Sequence, residues 1–168
     1  LEVTDRAENE KFEITVKANS KTDKYTGEKQ SVTGFKETEF TVNGKKYTVS
    51  GLTSKAEGTD SGDYTTAIEG TAVVKDADGN DVTKQFKVTT ETGKLSITKR
   101  AVTMTSKSAS KAYDGTALTK HEVTETGDGF VKGEGASYTV TGSQTLVGSS
   151  DNAFTYTLND GTKAKNYK

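Results

Sequence analysis

The chain has 168 residues and a formal net charge of −1, with no cysteine, no tryptophan, no proline and one histidine. The missing cysteines exclude disulfides, thiol nucleophiles and cysteine-based zinc sites. The charge balance excludes the basic excess that nucleic-acid binding requires: residues 1–99 carry 15 basic and 17 acidic side chains, and residues 100–168 carry 8 and 7.

Hydrophobic residues make up 30% of the chain, a share that suits small cores with much of their surface in water. Threonine, 30 residues, and glycine, 17 residues, set its character. Threonine favours strands and glycine favours turns. No stretch has the length and apolarity of a membrane span, and none has the pattern of a signal peptide.

Period-2 alternation then runs through the chain. Phe12, Ile14, Val16 and Ala18 share one face, with Glu13, Thr15 and Lys17 opposite. Phe40 and Val42, then Tyr47 and Val49, flank Asn43-Gly44, a type I′ hairpin signal because both central positions need positive φ. Tyr64, Thr66 and Ile68 read as one strand. Asp78-Gly79 marks a turn between Val74 and Val82. Phe86 and Val88, Leu95 and Ile97, Val102 and Met104, Tyr138 and Val140, and finally Phe154, Tyr156 and Leu158 complete the series. No window carries a 3.6-residue apolar stripe, so an all-β fold is expected.

The pattern also repeats. Tyr25-Thr26-Gly27 returns as Tyr113-Asp114-Gly115, 88 residues on, and Phe40 returns as Phe130. Tyr47-Thr48-Val49-Ser50-Gly51 returns as Tyr138-Thr139-Val140-Thr141-Gly142. Tyr64 aligns with Phe154, Thr66 with Tyr156, and Ile68 with Leu158. Phe86-Lys87 aligns with Tyr167-Lys168 if the Asp76–Asp81 hairpin is an insertion in the first copy. Leu1-Glu2-Val3-Thr4-Asp5-Arg6-Ala7 has the pattern of Leu95-Ser96-Ile97-Thr98-Lys99-Arg100-Ala101. The expected division is residues 1–7 as the closing strand of a preceding repeat, 8–98 as a first repeat, and 99–168 as a second repeat lacking its final strand. The join at Thr98-Lys99-Arg100 is short and has no flexible composition, so the repeats are expected end to end as an elongated stalk. Strand spacing and domain size favour sandwiches.

Ser110-Lys111-Ala112-Tyr113-Asp114-Gly115-Thr116 resembles the opening motif of the YDG-type and MBG-type repeats of bacterial surface proteins. Gly79–Phe86 and Gly93–Thr98 are similar to the later part of those repeats. The first copy has Thr26 where the motif has Asp, and Ala7 and Ala101 stand where such repeats often have proline. The resemblance implies two tandem immunoglobulin-like β-sandwich repeats in a large extracellular or cell-wall-attached adhesin-like protein. Some immunoglobulin-like surface domains also carry a Lys–Asn or Lys–Asp isopeptide bond, for which Asn166 is a candidate.

The residues offer little chemistry. His121 has no second His or Cys to build a metal site with it, and no Gly-x-Ser-x-Gly elbow accompanies the serines. Asp76-Ala77-Asp78-Gly79-Asn80-Asp81 crowds carboxylates, but its glycine is not at the sixth position and Lys87 falls at the twelfth, so a solvated turn is expected instead of a calcium loop. Glu57–Asp63 reads the same way. The Tyr-x-Gly motifs read as an aromatic capping a core beside a glycine turn. No catalytic, cofactor-binding or metal residue is nominated. The expected role is a non-enzymatic spacer, with an adhesive module for a host glycan or protein as the alternative. Neighbouring repeats are the expected partners, with strand-edge self-association through Leu1–Thr4 also open; nucleic acid and membrane insertion are not expected.

Overall fold

The computed structural model describes all 168 residues. The protein is all-β: thirteen strands, with helical geometry confined to 3-10 turns at Glu8–Glu10, Thr83–Gln85 and Ala164–Asn166. The chain divides into two compact units, one comprising Leu1–Asp23 and Glu28–Ile97, the other Lys24–Gly27 and Thr98–Lys168.

In the first unit β1 (Phe12–Lys17) pairs in parallel with β8 (Phe86–Glu91). A second sheet has the order β2 (Lys21–Lys24), β9 (Lys94–Thr98), β6 (Gly62–Thr65). In the third, β5 (Lys45–Gly58) is flanked by β3 (Gln30–Thr33) and β4 (Glu39–Val42) and also pairs with β7 (Ala67–Asp76). The arrangement is sandwich-like. Ile14 and Val16 of β1 and Phe86 of β8 form one core cluster with Val49 of β5 and Val74 of β7. Leu95 and Ile97 of β9 are buried as well. Each such side chain contributes about 1.5–3 kcal/mol by leaving water.

Local chemistry sets the register. Asn43 and Gly44 have φ of 49° and 76°, the type I′ geometry expected of their sequence. The β5–β7 ladder shifts register between Ser50 and Leu52. There Gly51 and Gly70 lie so close that a Cβ on Gly70 would come within 2.1 Å of the Gly51 carbonyl oxygen. The strand expected over Tyr64–Ile68 is two strands, broken at Thr66. Its hydroxyl accepts from the Gly93 amide at 2.8 Å, so the buried residue leaves the ladder to satisfy a loop.

The second unit contains β10 (Val102–Ser106) antiparallel to β11 (Val123–Gly127), and β12 (Ala136–Val140) antiparallel to β13 (Phe154–Leu158). Several pairings match those of the first unit. The parallel bridge Arg100–Tyr167 corresponds to Phe12–Phe86, and Ser106–Val123 corresponds to Ala18–Phe35. The 3-10 turn Thr83–Gln85 leads into Phe86 as Ala164–Asn166 leads into Tyr167.

Strand register corrects part of the sequence alignment. Val49 lies opposite Val74 on β7, whereas its counterpart Val140 lies opposite Phe154 on β13. Phe154 is therefore the counterpart of Val74 and not of Tyr64, and Tyr156 is not the counterpart of Thr66. The Asp78-Gly79 turn has its own match in Asp160-Gly161, with glycine φ of 85° and 84°. The extra length of the first copy accordingly sits in the β5–β7 hairpin between Ser50 and Val73, not at Asp76–Asp81.

Candidate functional site

A polar cluster is built around Tyr25, in the second unit. Tyr25 is 3% exposed. Its amide donates to the Thr98 carbonyl at 2.9 Å, and Gly27, two residues on, turns the chain at φ 81°. A Cβ on Gly27 would sit 3.2 Å from a Val131 methyl, so positive φ and a close approach both select glycine there. The Tyr25 ring meets Tyr167 edge to face, with centroids 5.7 Å apart, and Tyr167 meets Phe130 at 4.8 Å.

Both phenols converge on one carboxylate. Tyr25 donates to Glu134 Oε1, and Tyr167 donates to Glu134 Oε2 at 2.6 Å. The Tyr167 oxygen also accepts from the Val131 amide at 3.2 Å. Burial, reinforced by hydrogen bonding to Glu134, pushes each phenol up to about 12. Below them Arg100 caps carbonyls, donating from Nε to Gly129 O at 2.8 Å, from Nη2 to Asp128 O and from Nη1 to Tyr25 O at 3.4 Å. Asp128 takes Lys24 Nζ on one oxygen and the Ala101 amide on the other at 2.9 Å. The Lys24 hydrogen bond, then the Ala101 one, hold its carboxyl below the usual range. Two phenols donating to one carboxylate make a clasp that ties three chain segments together.

The sequence reading expected Tyr25 as a core cap and missed the acid. Glu134 carried no sequence signal beyond being one acid among many. Asn166 is fully buried beside this cluster, and its side chain hydrogen-bonds Tyr25; its backbone carbonyl accepts from the Arg100 amide at 3.0 Å.

The remaining candidates are dispersed. His121 is exposed. In the Asp76–Asp81 loop the Asp76 carboxylate accepts from the Asp78 amide, the Asn80 amide and Asn80 Nδ2 at 2.9–3.0 Å, an Asx-type closure that accounts for its lowered pKa. Asp81 binds the Thr83 amide and hydroxyl. In the Glu57–Asp63 segment, Glu57 pairs with Lys29 and Lys55, and Asp63 with Lys94. Tyr113, the counterpart of Tyr25, is 64% exposed. Its loop is held by Asp114, which accepts from Lys111 Nζ at 2.8 Å and from the Thr116 amide at 2.9 Å. A groove of about 510 Å³ opens beside that loop, bordered by Lys107, Tyr113, Leu118, Leu146, Val147 and Asn152.

No protein-family model, curated protein or solved structure matches the chain.

Proposed function

We propose that this chain is a non-enzymatic structural spacer from a bacterial extracellular or cell-wall-attached surface protein, built of immunoglobulin-like β-sandwich repeats. One observation supports the reading: several residues that match in sequence also pair alike in the two units, as in Phe12–Phe86 and Arg100–Tyr167, Ala18–Phe35 and Ser106–Val123. A catalyst or receptor would have reason to differentiate one site, whereas a spacer only needs to repeat a scaffold. The YDG-type resemblance of Ser110–Thr116 points the same way. So does the spending of the polar cluster at Tyr25 on fastening its own chain. Antibodies raised against the fragment should label intact cells of the source organism, and protease shaving should release the epitope. Labelling only after lysis would end the surface assignment.

An adhesive module is the second reading. It rests on Tyr156, which is 54% exposed on β13. No exposed aromatic holds its place in the first unit, where Asp76 lies opposite Tyr47 as Tyr156 lies opposite Tyr138. A panel of soluble glycans and extracellular-matrix proteins separates the two readings. The spacer binds none saturably at ~100 μM. Binding that is lost in Tyr156→Ser would replace the spacer with the adhesin.

A further inference from the structure

We propose that Asn43, at the tip of the β4–β5 hairpin, is a site of spontaneous covalent modification: its carboxamide closes onto the Gly44 backbone nitrogen, and water opens the resulting succinimide to aspartate and, predominantly, isoaspartate.

The reaction balances with water alone. The Gly44 amide loses its proton to solvent and attacks Asn43 Cγ. The Cγ–Nδ2 bond breaks, and ammonia leaves with a proton. Water then adds to one of the two ring carbonyls. Addition at Cγ gives an aspartyl residue. Addition at the main-chain carbon gives isoaspartyl, with the backbone rerouted through Cβ and Cγ.

Such closure needs a neutral, unheld carboxamide and an amide that no side chain shields. The chain has seven asparagines, and Asn43 is the one followed by glycine. Asn43 is exposed and its side chain has no hydrogen-bond partner. The Gly44 amide makes no backbone hydrogen bond, and the space where a Cβ would stand on Gly44 is open.

The other asparagines are restrained. Asn19 donates from Nδ2 to the Thr33 carbonyl at 2.9 Å, and Asn80 to Asp76 at 2.9 Å. Asn152 donates to the carbonyls of Lys107 and Lys120. Asn159 Oδ1 accepts from Ser137 at 2.7 Å, and Asn166 is fully buried. Asn9 precedes Glu10, whose side chain shields its own amide. The four Asp-Gly pairs present carboxylates, whose charge makes them poorer electrophiles. Two of them are also tied down: Asp114 by Lys111 and the Thr116 amide, Asp128 by Lys24 and the Ala101 amide.

Ring closure rotates the Asn43–Gly44 peptide out of its type I′ orientation, so it proceeds from a transiently opened tip. The Val42–Lys45 pair holds the base of that tip. The folded chain therefore reacts more slowly than a free peptide, yet at Asn43 first. The two products differ in consequence. Asp-Gly forms the same left-handed turn, so the aspartyl product keeps the hairpin. Isoaspartate adds a main-chain atom to a two-residue loop that has no slack. The Val42–Lys45 pair then splays, and Phe40 and Val42 loosen from the core cluster they pack against. The change stands apart from the surface and spacer assignments, since it needs only this hairpin and water.

Peptide mapping of the folded 168-residue chain, aged at mildly alkaline pH and body temperature, tests it. The tryptic peptide 37–45 should split into its original form and two products, each heavier by the difference between a carboxamide and a carboxylic acid. The isoaspartyl product, identified by methyl transfer from a protein-isoaspartate carboxyl methyltransferase, should predominate. The remaining asparagine peptides should stay intact, and Asn43→Gln should abolish both products. The purified isoaspartyl chain should unfold at a lower urea concentration than fresh protein, whereas Asn43→Asp, which carries the same charge, should match fresh protein. A folded chain that keeps Asn43 intact through many half-lives of the free 37–45 peptide, or that modifies another asparagine first, overturns the proposal. An isoaspartyl chain with the midpoint of fresh protein overturns its consequence for the hairpin.

Discussion

Tyr25 and Tyr167 meet edge to face at 5.7 Å and deliver both hydroxyls to the carboxylate of Glu134. Large buried side chains are scarce in the second unit, where Tyr25, Tyr167 and Asn166 are the ones below the surface. The clasp therefore bears a large part of that unit's stability. Tyr25→Phe keeps the ring and leaves Glu134 with one phenol, costing about 1–2 kcal/mol. Tyr25→Ala adds a cavity and costs about 3–5 kcal/mol. Hydrogen exchange at the Val131 amide, which donates to Tyr167, reads the loss directly. Unchanged protection in Tyr25→Ala would show that the clasp does not hold the unit.

Alkaline pH should open the same clasp. Tyr25, Tyr167 and Tyr138 are each pushed up to about 12, first by burial and then by hydrogen bonding to Glu134 or, for Tyr138, to Glu125. The native state therefore favours the protonated phenols over an unfolded chain that titrates near ~10. That stability is complete below about pH 10 and is lost as pH rises through 12. Absorbance at 295 nm should show a late wave near pH 12, coincident with loss of the β spectrum. Glu134→Gln should move the waves of Tyr25 and Tyr167 down and leave that of Tyr138 in place.

Gly70→Ala should be far worse than Gly44→Ala. Both positions have positive φ, 99° and 76°, so each substitution pays backbone strain of about 1 kcal/mol or more. Only at Gly70 does the new methyl strike backbone, the Gly51 carbonyl; Gly44 has open space around it. Urea midpoints of the two variants should therefore differ by the equivalent of about 2 kcal/mol or more. Equal midpoints would mean that the β5–β7 bulge relaxes freely.

Ser54→Ala should leave stability unchanged or raise it by up to about 1 kcal/mol. The Ser54 hydroxyl on β5 is buried and has no hydrogen-bond partner, so the native state bears its desolvation without return. A melting temperature lowered by several degrees would show that the hydroxyl is satisfied in solution.

Alternation made the strands legible. Ile14 and Val16, Leu95 and Ile97, and the Asn43-Gly44 hairpin all occupy their expected places, because a period of two with glycine turns leaves few other ways to bury one face. Pairing partners were less legible. Tyr64-Thr-Thr-Ala and Phe154-Thr-Tyr-Thr look alike as strings, but similarity of string does not fix which residue lies opposite Val140. The recurrence of Asp78-Gly79 as Asp160-Gly161, followed in each case by an aromatic, was the available signal for the true register. Glu134 was not legible at all. Nothing local distinguishes a carboxylate that accepts two phenols from one that faces water, since its partners come from segments far apart in sequence.

The bulge at Gly51 and Gly70 marks the point beyond which the two hairpins differ. Past it, β5 and β7 continue paired as far as Lys55 and Ala67, whereas the second unit turns back through the loop after Gly142. That extra length is built into the first unit: it carries β6, whose Tyr64 lies opposite the buried Leu95 of β9, and the buried Thr66 that accepts from the Gly93 amide. For protein engineering, that makes the hairpin a poor place to cut: an insert near Asp60-Ser61 stays compatible with the core only if it keeps the Tyr64 hydroxyl on the Asp60 carbonyl and β6 in register with β9.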